Sequence, residues 1–243
     1  MKKALQVSLL AAASAIMFSS PAHALFVNGG FETGDFTGWD ISGSGAGLSA
    51  VIDKDSAWLA GQTTDINPYY GKYMARLQDI NGWYHGTTLS QTATLTAADL
   101  AETLYVGWGA LLVEPSNFHD TGAQPQFTIT LLKNGGAFET FHADALNKQA
   151  GGWQDYGYNG GTAWYKAGVF SKALSSFAVG DDLTVSISVV DCGWGGHGGA
   201  AFLDGIGTTV ITNPGNPVPE PATMLLMGTG LAGLVGARRK KKA

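Results

Sequence analysis

Cysteine is almost missing from this chain. Cys192 stands alone among 243 residues. No intrachain disulfide can form, so packing and hydrogen bonding must hold the fold. A single thiol reads as a small buried apolar side chain; a nucleophile would need a base and an activating environment, which the sequence does not show. Charge is also scarce, at 14% of residues. Half of the 14 basic residues sit at the two ends, as Lys2, Lys3 and the run Arg238–Lys242. Residues 25–212 keep seven basic against eighteen acidic side chains, a net charge of −11. Such a surface repels phosphate backbones, which argues against nucleic acid as a partner.

Other absences narrow the chemistry. The histidines left after residue 24 are His85, His119, His142 and His197, widely spaced. There is no His-Glu-x-x-His and no paired cysteine to hold a transition metal. No Gly-x-Ser-x-Gly element appears, and no nucleophile–base–acid set stands out. Gly228–Gly233 matches Gly-x-Gly-x-x-Gly by letter, but no strand precedes it, so it is no nucleotide loop. The middle has no helix-period segment of useful length; Thr96–Leu100 makes one helical turn at most.

What is abundant is glycine, 35 residues, and aromatics, 11%. Between glycine, asparagine, aspartate and proline punctuation, alternating or β-branched runs recur. Strands are expected near 38–42, 48–53, 72–78, 88–95, 103–113, 126–133, 137–142, 163–170, 182–190 and 200–210. Leu183–Val189 alternates most cleanly, and Asn134-Gly135 is a strong hairpin turn. Many short strands without helices predict an all-β fold, a two-sheet antiparallel β-sandwich. Residues 25–212 are long enough for one such core.

The ends are sorting segments by pattern. Met1-Lys2-Lys3, an apolar run from Leu5 to Ser20, and Ala22-His23-Ala24 predict a signal peptide over 1–24. At the other end Val218-Pro219-Glu220-Pro221 breaks regular structure. An uncharged run from Ala222 to Ala237 follows, near the lower length limit for spanning a bilayer, and then the basic cluster. This predicts one short C-terminal transmembrane helix with its basic end in the cytoplasm. The order of parts over 213–243 resembles the PEP-CTERM sorting signal, the tag recognised by exosortases. That resemblance implies export across the inner membrane, transient anchoring there, and exosortase processing near Val218–Pro221 before release to the cell surface or matrix.

A second resemblance covers the middle. Phe26-Val27-Asn28-Gly29-Gly30-Phe31-Glu32, Gly71–Leu77, Leu89–Thr92 and the closing Ala201-Phe202-Leu203-Asp204 are similar to jelly-roll modules related to galactose-binding and carbohydrate-binding domains. It implies that the first segment and last strand lie side by side. It also implies that Glu32 and Asp204, with backbone carbonyls, hold a structural calcium. The alternative is that Glu32 caps a turn and Asp204 is a turn acid. Calcium needs six to eight oxygens, so two carboxylates do not complete a site.

The Gly-rich stretch 151–161 supplies a candidate glycan face. Trp153, Tyr156 and Tyr158 offer flat rings, and Asp155 and Asn159 offer hydrogen bonds to hydroxyls. Against that stands the reading in which some of these rings are core anchors. Together these features favour an exported, non-catalytic protein that binds extracellular polysaccharide. A polysaccharide-acting hydrolase and a purely structural matrix component are the alternatives.

Overall fold

The computed structural model describes residues 24–54, 65–79, 86–113, 124–144, 151–156, 163–192 and 197–210. The signal segment before Ala24 and the whole sorting tail, with its expected membrane helix, lie outside them. Among the described residues, no helix is long and apolar enough to cross a membrane.

The strands are β1 Asp40–Gly43, β2 Ala50–Ile52, β3 Met74–Asp79, β4 Gly86–Thr94, β5 Thr103–Val113 and β6 Gln126–Lys133. Then come β7 Gly136–Asp144, β8 Gln154–Asp155, β9 Ala163–Ala173, β10 Asp182–Val190 and β11 Gly199–Gly207. They form two antiparallel sheets, one in the order β1-β4-β10-β6-β7 and one in the order β2-β3-β11-β5-β9-β8. This is the all-β sandwich that the alternation predicts. Neighbours in each sheet are mostly distant in sequence, so long crossings interlock the two layers. β8 is an addition: two residues in the Gly-rich stretch, pairing Gln154 with Tyr165. The β6–β7 hairpin turns at Asn134 and Gly135, with φ of 50° and 80°. Both angles are positive, as the two-residue hairpin turn matched to strand twist requires.

Alternation decides which side chains meet between the sheets. Along β10, Leu183, Val185, Ile187 and Val189 point inward and are fully buried. From the facing sheet come Leu104, Val106, Trp108, Ala110 and Leu112 of β5. Trp108 stacks on Phe127 of β6 at 5.2 Å and tilts against Phe141 of β7 at 5.0 Å, so it contacts two strands of the opposite sheet. Its indole lies over Gly168 on β9, where a Cβ would come within 3.2 Å. Each such buried side chain adds about 1.5–3 kcal/mol.

The six-stranded sheet carries a second apolar layer on its outer face. Leu111 and Val113 of β5, Met74 of β3 and Phe202 of β11 are covered there by Ile66 and Tyr156. Tyr69 donates its hydroxyl to the Trp108 carbonyl at 2.7 Å, which fastens the covering segment to the sheet. β5 is therefore buried on both sides.

This arrangement corrects the expected glycan face. Trp153 is only 8% exposed and belongs to the inner core, with the Lys166 ammonium 6.0 Å from its ring centre. Tyr156 is 7% exposed and packs in the outer layer, 4.8 Å from the Tyr165 ring. The glycine-rich composition suggested exposure. Pairing of β8 with β9 instead carries Trp153 into the inner core and Tyr156 into the outer layer. Trp153→Ala should therefore lower unfolding free energy by about 3 kcal/mol, the low end for a buried aromatic truncation. A urea titration of the purified variant against the parent protein measures it.

Candidate functional site

The opening segment closes on the end of β11. Asn28 and Phe31 both adopt positive φ, 52° and 56°, which curls the chain tightly. Phe31 is driven into the core and packs on Trp39 at 5.6 Å. The Trp39 indole N–H donates to the Asn28 carbonyl at 3.1 Å. The Gln91 carboxamide accepts from Val27 N–H at 2.6 Å and donates to the Val27 carbonyl at 3.0 Å, in place of a strand partner. Ile206 N–H donates to the Gly29 carbonyl at 2.9 Å. The first segment and last strand are thus side by side.

Glu32 and Asp204, far apart in sequence, meet around Gly30. A Cβ at Gly30 would lie 3.8 Å from both the Asp204 Oδ1 and the Glu32 Cγ. The Glu32 carboxylate is exposed and accepts Lys72 N–H at 2.9 Å and Tyr73 N–H at 3.0 Å. It caps the turn that precedes β3. That turn needs Gly71, whose φ is +50° and whose Cβ would fall 2.4 Å from Glu32 Oε1. Any side chain at residue 71 would expel the carboxylate.

Asp204 is fully buried at a register shift in β11. Its Oδ2 accepts Tyr70 N–H at 2.6 Å and its Oδ1 accepts Gly205 N–H at 2.7 Å. Burial, followed by the negative charge of Glu32, pushes its carboxyl up to about 8, against the pull of the backbone donors. Among the described residues, no basic side chain pairs with it.

A buried carboxyl whose charged form is disfavoured beside a second carboxylate suits a hard cation, which would take the place of its proton. The side-chain ligand number is small, because no cluster of three acidic, histidine or cysteine side chains occurs among the described residues. A calcium here would take Glu32 and Asp204, and complete its shell with backbone carbonyls and water. The turn-cap role of Glu32 is occupied in any case.

Of the expected glycan-facing residues, Tyr158 and Asn159 lie outside the described residues. Asp155 is exposed on β8, paired with Trp164 of β9, which is half-buried against the inner core. At the entry to β11, the buried Cys192 lies 3.1 Å from His197 Nδ1, and Cys192 N–H donates to the His197 carbonyl at 3.3 Å. These contacts tie the residues after β10 to the approach to β11. Sequence reading left this pairing out because 192 and 197 follow no metal or catalytic spacing.

Residues 217–240 match the PEP-CTERM protein-sorting motif. The motif implies export and a C-terminal membrane anchor held until exosortase acts. No curated protein matches the chain. Among solved structures, one carbohydrate-binding module of the β-sandwich superfamily has TM-score 0.40 and 8% identity, over 73% of this chain. The match spans 59% of that protein's length. The mannohexaose-bound CBM27-1 of Caldicellulosiruptor saccharolyticus has TM-score 0.36 and 11% identity, covering 74% of this chain and 94% of its own. The cyclase FisC of Fischerella sp. TAU has TM-score 0.41 and 12% identity, covering 74% of this chain and 94% of its own. At these scores and identities the matches bring neither a family nor a ligand with them.

The high pKa of Asp204 makes stability depend on pH. Its folded value lies above the unfolded value of 3.8, so the folded state holds the extra proton between about 4 and 8. The contribution is complete below the unfolded value and is lost as pH rises through the folded one. With divalent ions chelated, the parent protein should lose stability from pH 5 to pH 8 more steeply than Asp204→Asn. The difference in slope should be at most about 1.4 kcal/mol per pH unit. Urea midpoints at several pH values test this.

Proposed function

We propose that this is an exported, non-catalytic carbohydrate-binding protein that exosortase sorts to the cell surface or extracellular matrix. The observation that carries the reading is the sorting motif at 217–240, directly behind a β-sandwich that ends its last strand at Gly207. The tail addresses the domain to the outside, where polysaccharide is the abundant partner for a neutral or acidic binding module. The two carboxylates that meet, Glu32 and Asp204, are each held by backbone N–H groups. Asp204 is fully buried, out of reach of a bound glycan, which suits a structural role better than the proton traffic of a hydrolase.

In this reading Trp153 and Tyr156 support the base of the 151–161 stretch, while Asp155, Tyr158 and Asn159 meet the glycan. A glycan array probed with the full chain in detergent should show retention of neutral oligosaccharides. Asp155→Ala combined with Tyr158→Ala should weaken it about tenfold with little change in melting temperature. A parent protein that retains no glycan would favour the purely structural matrix role.

Calcium at Glu32 and Asp204 belongs to the same proposal. Binding to the folded state alone stabilises by about 2.7 kcal/mol at a hundredfold excess over the dissociation constant. Melting with calcium should exceed melting with chelator, and Glu32→Gln should remove most of the difference. Equal midpoints in calcium and chelator would remove the ion from this reading.

A further inference from the structure

The sorting tail leaves the sandwich at one defined end. β11 ends at Gly207 beside Tyr105, near the start of β5. β9 ends there too, with Ala173 opposite Thr103, and its crossing through Val179 enters β10 at Asp182. The opening segment joins this end through the hydrogen bond from Ile206 N–H to the Gly29 carbonyl. Tyr70 donates its hydroxyl to the Val210 carbonyl at 2.8 Å, which fixes where the tail departs. Gln154 and Asp155 are at the opposite end: Asp155 pairs with Trp164, and Trp164 with Leu112 near the close of β5. Along β5 the two ends are roughly 30 Å apart, at about 3.4 Å per residue.

Exposed apolar side chains follow the same division. Val27, Val179 and Val210 are 59%, 63% and 52% exposed, more than any other large apolar side chain among the described residues. All three stand at the tail-exit end. Val27 is close to Gly38, where a Cβ would meet it at 2.9 Å. Val179 tips the crossing from β9 to β10, where Gly180 N–H donates to the Leu95 carbonyl. Val210 marks the exit itself. Single exposed valines are ordinary on a protein surface. Packing does not explain three around one chain exit, since none belongs to the inner core or the outer apolar layer.

We infer, on the reading that the tail matched at 217–240 anchors the chain, that this end is a docking surface for zwitterionic lipid. The uncharged run begins at Ala222, and the chain from Val210 to Ala222 reaches at most about 40 Å. The exit end is therefore held near the bilayer, and the far end approaches it only if the domain turns over. Such a tether raises the effective concentration of lipid, so a contact too weak for a free domain becomes sufficient. The three valines gain by leaving water for the boundary between headgroups and acyl chains. Glu32, Asp35 and Asp182 are exposed at the same end, against Lys72. This acidic excess repels anionic lipid and leaves zwitterionic headgroups as the fitting surface. The docked domain stands with Gln154 and Asp155 turned away from the membrane. That far end is then open to partners before the tail is processed.

The test is quenching of a thiol-linked fluorophore by lipid carrying a headgroup nitroxide, with the full chain reconstituted into phosphatidylcholine vesicles. Cys192 is buried, so the dye reports on a thiol introduced by Val179→Cys at the exit end or Gln154→Cys at the far end. Quenching should be several-fold stronger for Val179→Cys than for Gln154→Cys. Adding Val27→Asp should bring the Val179→Cys signal down to the Gln154→Cys level at unchanged melting temperature. Replacing part of the phosphatidylcholine by phosphatidylglycerol should weaken it as well. Equal quenching at the two positions, or quenching at residue 179 that survives Val27→Asp, overturns the docking and leaves the anchor standing. Quenching strengthened by phosphatidylglycerol equally overturns it. A chain that does not float with the vesicles overturns the anchor and the docking together.

Discussion

The fold turns on the seat of one indole. Trp108 can lie flat against its own sheet only because Gly168, directly across on β9, has no side chain. Flat against the sheet, it reaches Phe127 and Phe141 of the opposite layer. The next register position repeats the device on the other side. A Cβ at Gly109 would meet the Tyr165 hydroxyl at 2.8 Å, so that ring lies along the outer face. Glycines on two adjacent strands thus allow two aromatic rings to clasp one stretch of sheet from above and below. Close packing of this kind leaves little slack, since protein interiors approach crystal density. It also explains why β5 and β9, the longest strands, remain straight partners over eleven register positions.

Much of this was legible before any coordinates. Thr103–Val113, Gln126–Lys133 and Asp182–Val190 could be bounded by residue type alone, because period-two alternation reports the buried face directly. The outer apolar layer could not. Leu111 and Val113 read as ordinary strand residues, and only the segment carrying Ile66 and Tyr69 reveals that they are covered. That covering is a tertiary event with no local signature. Trp153 and Tyr156 were misread for the same reason: glycine content reports backbone freedom, not the two-residue strand that anchors these rings. Glu32 and Asp204 were paired through family resemblance, and no spacing rule would have joined them. The tail was the easiest part, since proline hinge, apolar run and basic cluster are contiguous.

The turn at 69–73 gathers much of the domain's polar order. Glu32 holds its backbone from one side and Asp204 from the other. Tyr69 fastens it to β5 and β9, with its hydroxyl also 3.2 Å from the Gly168 carbonyl. Tyr70 donates its hydroxyl to the Val210 carbonyl at 2.8 Å. First segment, last strand and the covering loop therefore share one set of anions. A proton on Asp204 acts on all three at once.

The sheet edges carry a consequence of another kind. β1, β2 and β8 are edge strands of four, three and two residues. β7 is the fourth edge and runs for nine residues. The Lys172 ammonium, ion-paired with Glu139, braces its middle against β9, and Phe138 beside them stays 39% exposed. Nothing among the described residues caps the outer hydrogen-bonding groups of β7. That edge is the least costly place for a second chain to add strand to strand. One such edge per domain joins copies two by two, since β1, β2 and β8 are too short to continue the pairing.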